Sequence, residues 1–181
     1  MKTESLVLYV LRLALTLLAI TAVVAAALAG VNSITAPAIA ELNAQKTQEA
    51  IELVLPGGGE SVDFPETALV SKVYASETGY AVEVTPGGFD NTITMMVGVD
   101  NEGKVLGISV VSHTETAGLG AVAAAQTSAG EAFRAQFVGK SGSVAVSKDG
   151  GELDAITGAT ITSRAVCVGV NAALEVVGKM G

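Results

Sequence analysis

One cysteine and one histidine stand among the 181 residues. Cys167 has no second cysteine to pair with, so no internal disulfide forms, and there is no Cys cluster for zinc or iron–sulfur ligation. A lone His113 argues against a His-based metal site. Basic residues are scarce as well. Ten Lys and Arg face 18 Asp and Glu, the net charge is −8, and no basic cluster occurs. That argues against a nucleic-acid partner, because phosphate binding needs clustered cations. Charged residues make up only 15% and hydrophobic ones 50%, too apolar a composition for disorder. Neither an internal repeat nor a low-complexity tail is present. With so few acid–base and metal-binding groups, redox or transfer chemistry has to use carboxylates, hydroxyls or a borrowed cofactor. No residue is assigned as catalytic and none as a metal ligand.

The hydrophobicity is concentrated near the N-terminus. Leu13 to Val31, "LALTLLAITAVVAAALAGV", is free of charge, and "LVLYVL" before Arg12 extends it. A span needs about 20 such residues, and Arg12 can reach the interface by extending its stem. A cleaved signal peptide is the alternative, with Ala27-Leu28-Ala29 as a small-residue cleavage site. The stretch exceeds an h-region of about 7–15 residues, which favours a retained anchor. Lys2 and Arg12 precede the span and the acid Glu41 is the next charge after it. The positive-inside rule then places the N-terminus in the cytoplasm and residues from 32 onward outside.

Beyond the anchor the pattern predicts a helix over Ala38–Leu55, opened by Pro37 and ended by Pro56 and three glycines. "ALVSKVYA" and "YAVEV" read as strands around "SETG", and "TPGGFDN" as a loop. "TITMMVGV" alternates, with Ile93, Met95, Val97 and Val99 on one face, and pairs across "DNEG" with "KVLGISVVS" as an antiparallel hairpin. Alanine-rich residues 121 to 137 predict a helix that Gly130 could split, "SVAVS" a short strand, and Ile161–Val177 a largely buried helix. Helix, strands, helix, strand, helix in that order imply an α+β domain with an antiparallel sheet packed by helices.

Two stretches stand out. "DAITGATITSR", residues 154 to 164, crowds hydroxyls in front of the last helix. Thr157 or Thr160 could simply cap that helix, accepting an orphan backbone N–H. The same geometry suits phosphate, which favours the free N–H groups and the positive dipole end of a helix N-terminus. A threonine there could hold a phosphate by hydrogen bonding, or be esterified to one. A hydroxyl with no base beside it is a poor nucleophile, so a separate enzyme would have to make that ester. "SHTETAGLGA", residues 112 to 121, is a close-approaching loop after a strand; Gly118 and Gly120 permit it, and His113, Glu115 and Thr116 add polar groups.

"DAITGAT" resembles the Asp-x-x-Ser/Thr-Gly-Ala-Thr motif of flavinylated proteins. "SHTETAGLG" resembles the Glu-Thr-Pro-Gly-Leu-Gly loop of the same FMN-binding domain, with Ala117 where that family has proline. The span followed by "NSITAP" is similar to the G subunit of Rnf electron transport complexes, and the resemblance covers nearly the whole chain. It implies FMN joined covalently through its phosphate to Thr160 by a flavin transferase that draws on FAD and magnesium. Asp154, Thr157, Gly158 and Ala159 map onto the rest of that motif, with Thr162 just downstream. Glu115, Thr116, Gly118, Leu119 and Gly120, with His113 beside them, map onto the flavin-proximal loop.

The resemblance implies three segments: an anchor over 1–31, a connecting helix over 32–60 and a covalent FMN-binding domain over 61–181. It implies a component of an ion-translocating oxidoreductase that passes electrons within a cytoplasmic-membrane complex coupling ferredoxin:NAD oxidoreduction to Na+ or H+ movement. The partners implied are the A, D and E membrane subunits, the iron–sulfur and NADH/ferredoxin-side subunits, and the flavin transferase. With one span and no intramembrane acid the chain has no ion pathway of its own. Two alternatives are the C subunit of a sodium-translocating NADH:quinone reductase, usually longer in its soluble part, and a non-redox membrane-tethered module.

Overall fold

The structure, a computed structural model, describes residues 2–180, with side chains from residue 6. Met1 and Gly181, the outer limits of the anchor and domain ranges above, lie outside the described residues. Contacts divide the chain into two compact units, 1–44 and 45–181. The first helix, α1, covers Lys2–Val54.

Residues 2–44 are helix throughout, and every side chain from Leu6 to Ala44 is exposed. The polar side chains of the charge-free stretch, Thr16 and Thr21, are satisfied locally: their hydroxyls donate to the carbonyls of Arg12 and Leu13 and of Leu17 and Leu18. A helix apolar on all sides, with its hydroxyls bonded to its own backbone, fits membrane anchoring. The expectation of a separate helix opened by Pro37 is corrected, because Pro37 lies inside α1. Breaking the helix there would create two ends with unpaired backbone groups, whereas proline removes a single N–H.

Residues 45–181 hold a five-stranded antiparallel meander in the order β1 to β5: β1 (Glu60–Val62), β2 (Val70–Ser76), β3 (Gly79–Val84), β4 (Thr94–Asp100) and β5 (Val105–Ser112). The anticipated hairpin is β4–β5, and the two strands expected around "SETG" pair antiparallel as β2–β3. Both faces of the sheet are covered, which is why β3 and β4 are almost wholly buried. On one face Val82, Val84, Met95, Val97 and Val99 meet the final helix, α3 (Thr160–Met180), through Val166, Val170, Ala173 and Val177. On the other, Ala81 and Met96 pack against Ala50, Ile51 and Val54 from the end of α1 and Leu55 just beyond it. α3 is apolar enough to cross a membrane by composition, but its buried residues belong to this core.

Two further elements differ from expectation. Residues 121–137 break between a 3-10 turn (Gly120–Ala123) and α2 (Ser128–Ala135), and Gly130 sits within α2 rather than splitting a helix. Thr127 caps α2 by accepting from the Gly130 N–H. Arg134 Nη1 donates to the carbonyls of Ala123 (2.8 Å) and Ala125 (3.0 Å), capturing acceptors in the gap. "SVAVS" joins no sheet. Val144 and Val146 are buried, but the side chain of Asn171 supplies both partners of the Val144 backbone: Val144 N donates to Asn171 Oδ1 at 2.8 Å, and Asn171 Nδ2 to Val144 O at 2.9 Å.

Where α1 crosses β4, a Cβ on Gly98 would stand 2.2 Å from the Val54 carbonyl oxygen. Gly98→Ala is therefore expected to lower stability by about 1–3 kcal/mol through overpacking, measured as a shift in the denaturation midpoint of the full chain. Cys167 is buried in α3, and burial, aided by the charge of Asp149, pushes its thiol up to about 11. At pH 8 iodoacetamide should leave it unmodified in the native chain and alkylate it after denaturation, as followed by intact mass.

Candidate functional site

The start of α3 is built by Ser163. Its hydroxyl accepts from the Ile156 N–H (3.0 Å) and donates to the Ala159 carbonyl (2.9 Å), while the Ala159 N–H reaches the Ile156 carbonyl at 2.9 Å. Gly158 makes this turn with φ of 76°. The helix start is thus organised by a residue inside its own first turn. Thr160 Oγ1 accepts instead from Lys148 Nζ at 3.3 Å.

Facing this helix start is the loop after β5. Glu115, only 7% exposed, uses both carboxylate oxygens to join three segments. Oε2 accepts from Thr162 Oγ1 on α3 at 2.5 Å, and Oε1 accepts from the Phe89 N–H at 2.7 Å and the Asp90 N–H at 3.5 Å. A Cβ on Gly88 would meet Oε1 at 2.1 Å, and one on Gly120 would meet Oε2 at 2.2 Å. The carboxylate is therefore enclosed by two glycine backbones and stays bonded without a cation.

Between these parts lies a cleft of about 300 Å³ lined by Phe89, Glu115, Thr116, Leu119, Gly120, Lys148 and residues 158–162. Its rim is apolar: Phe89 is 66% exposed, Ile161 49% and Leu119 43%. Large hydrophobics left in water beside a hydroxyl and an ammonium suit a ligand with a flat apolar body and an anionic end.

The fold gathers most of the candidate residues here. Glu115, Thr116, Leu119, Gly120, Gly158, Ala159, Thr160 and Thr162 share the cleft. Gly118, Asp154 and Thr157 line an adjoining groove with Phe133 and Gln136. There the Asp154 backbone is held by the side chain of Gln136, which accepts at 2.7 Å and donates at 3.2 Å. His113 is not brought to the cleft. It lines a different one, of about 470 Å³, with Lys46, Glu49 and Gln126, and its Nδ1 is buried without a hydrogen-bond partner. Strand β5 ends at Ser112, and His113 stays on the side of the sheet that carries the end of α1 while Glu115 turns to the α3 side. Sequence reasoning missed Phe89, Lys148 and Ile161. "GGFDN" was legible only as a loop, and nothing local to "SKDG" marks its lysine.

Residues 88–175 match the model of the FMN-binding domain family, a window that contains the whole cleft lining. The chain is 33% identical to the G subunit of the Na(+)-translocating ferredoxin:NAD(+) oxidoreductase complex of Acetobacterium woodii, over 92% of this chain and 91% of that one. It belongs to this family of G subunits. The G subunit of the proton-translocating ferredoxin:NAD(+) oxidoreductase complex of Clostridium ljungdahlii is 34% identical over 82% of this chain and 80% of its own. The G subunit of the ion-translocating oxidoreductase complex of Vibrio parahaemolyticus is 42% identical over 49% and 44%. Family members are parts of ion-translocating oxidoreductases, and this chain carries their FMN-binding domain.

The residues present fit FMN. Thr160 is half-exposed at the cleft, the backbone at Gly158 is open to it, and the carboxylate of Glu115 is already satisfied by protein donors. Thr162→Val leaves Glu115 Oε2 buried without its donor. It should cost about 1–3 kcal/mol in chemical denaturation of the full chain, while Thr162→Ser stays near wild type.

Proposed function

We propose that this chain is the flavin-carrying electron-transfer component of a membrane-bound Rnf-type complex that couples ferredoxin:NAD oxidoreduction to ion movement, with FMN held through a phosphoester on Thr160. The observation that carries this is the placement of Thr160: its hydroxyl is unused by the helix start, faces an ammonium, and lies in a cleft with an exposed apolar rim.

FMN, when bound, supplies the one- and two-electron chemistry that the side chains of this domain do not. The chain contributes the rest. Thr160 fixes the phosphate, so the flavin cannot dissociate on the outer face of the membrane, where replacement is slow. Phe89, Leu119 and Ile161 would cover the ring's apolar surface. Glu115 holds the loop and the helix in register, and Thr116, Gly120, Gly158 and Ala159 let the backbone approach closely. Attachment is redox-neutral. A flavin transferase joins Thr160 Oγ to the FMN phosphorus of FAD, the pyrophosphate bond breaks, AMP leaves with the bridging oxygen, and the hydroxyl proton passes to the transferase's base. Asp154, Thr157 and Gly118 line the groove next to the cleft, the side from which that enzyme would read the motif.

The anchor over 1–31 would place Lys2 and Arg12 in the cytoplasm and the domain over 61–181 outside, in reach of the membrane subunits of the complex. The ion named for the first two relatives above differs, sodium in one and protons in the other. Leu13 to Val31 carries no acid, so ion selection would lie with other subunits.

Mass spectrometry of the peptide spanning residues 154–164, from chain co-expressed with a flavin transferase, is expected to show the mass of FMN less water. In-gel flavin fluorescence should survive denaturation and vanish in Thr160→Ala. An unmodified peptide and a colourless chain would leave a tethered domain without a flavin.

A further inference from the structure

Four cations of this acidic chain find acids. Lys104 pairs with Glu102, Lys140 with Glu152, Lys179 with Glu175, and Arg164 with Asp149. Lys148 differs: its ammonium is directed at a neutral hydroxyl, Thr160 Oγ1. The turn that carries it is firmly held. Lys148 sits in a 3-10 turn, Ser147–Asp149, whose flanking residues Val146 and Leu153 are 1% and 2% exposed. The turn is closed by Ser147 N to the Leu153 carbonyl at 2.7 Å and Asp149 N to the Val146 carbonyl at 2.9 Å. Its neighbour Asp149 is clamped to α3 by a two-bonded pair, Arg164 Nε to Oδ2 and Nη2 to Oδ1, both at 2.6 Å. Arg164 holds the Asp149 carboxyl below the ordinary carboxylate range. The folded value is lowered, so the clamp's contribution is complete above the ordinary range and fades only as pH falls below it. At neutral pH the clamp keeps the turn against α3.

We infer that Lys148 is the phosphate-binding residue of this site: its ammonium neutralises the phosphodiester formed at Thr160, and the Asp149–Arg164 pair positions it there. This rests on the Thr160 reading above and adds a residue that no motif in the sequence marks. The chemistry is that of a charge-assisted contact from a point cation to an anionic oxygen. The ester replaces the hydroxyl that Lys148 now contacts with a group bearing a full negative charge at the same place. The cation therefore becomes more strongly engaged after loading than before, and it favours the loaded state.

The test uses the full chain in detergent with purified flavin transferase and FAD, comparing wild type, Lys148→Ala and Lys148→Arg after circular dichroism has shown all three folded. Loading is followed by intact mass, and the loaded phosphodiester by 31P NMR at low and high salt. Lys148→Ala is expected to load about tenfold more slowly and to give a displaced 31P resonance, with Lys148→Arg close to wild type in both. Wild-type loading by Lys148→Ala, or slow loading with an undisplaced resonance, overturns the inference. A wild-type chain that stays unloaded while the transferase modifies a control substrate removes the Thr160 reading itself, a separate result.

Discussion

The buried carboxylate of Glu115 is the joint on which the site depends. It receives a hydroxyl from α3 and backbone N–H groups from the β3–β4 loop, and it belongs to the loop that follows β5. Three segments that are distant along the chain thereby share one anion. A buried charge is costly unless its lone pairs are met, so the bonds around Glu115 are obligatory, and they hold Phe89, Leu119 and Thr160 around one cleft. The glycines on either side of it follow from the same constraint, since any side chain there would occupy the place of the carboxylate oxygens.

The meander makes that joint possible. Antiparallel strands in sequential order bring the β3–β4 loop and the end of β5 to the same edge region of the sheet. α3 lies across the face formed by Val82, Val84, Met95 and Val97, and its N-terminal turn reaches that region. The other face is closed by the last residues of α1. A sheet covered on both sides does not shift its strands easily, because one face would lose its partners with any slip in register. A redox group carried here is thus held on a rigid frame, with the apolar rim as the part left open.

Much of this was readable beforehand. The long N-terminal helix announced itself by an uninterrupted apolar run, the β4–β5 hairpin by alternation and turn residues, and α3 by its length and apolar face. "DAITGAT" and "SHTETAGLG" were recognisable as a pair, and eight of their candidate residues meet in the cleft. Failures came where tertiary contacts, or at Pro37 the continuity of a helix already begun, outweigh local preference. Pro37 did not begin a helix, an alanine-rich run was cut where Arg134 takes up carbonyls, and "SVAVS" paired with an asparagine side chain instead of a strand. His113 was grouped with Glu115 by adjacency alone; the strand ends at Ser112, and beyond it the two side chains line different clefts.

Order along the chain determined the β4–β5 hairpin, the long apolar run of the first helix and the identity of the hydroxyl at the head of the last helix, because these depend on periodicity, run length and near neighbours. Folding decided which hydroxyl is free and what surrounds it. Ser163 organises the helix start and releases Thr160; a lysine from a remote turn comes to that oxygen; Phe89 arrives from the β3–β4 loop. Each of those facts is a distance between residues far apart in sequence, set by the packing of α3 on the sheet and by the carboxylate that ties the loops to it.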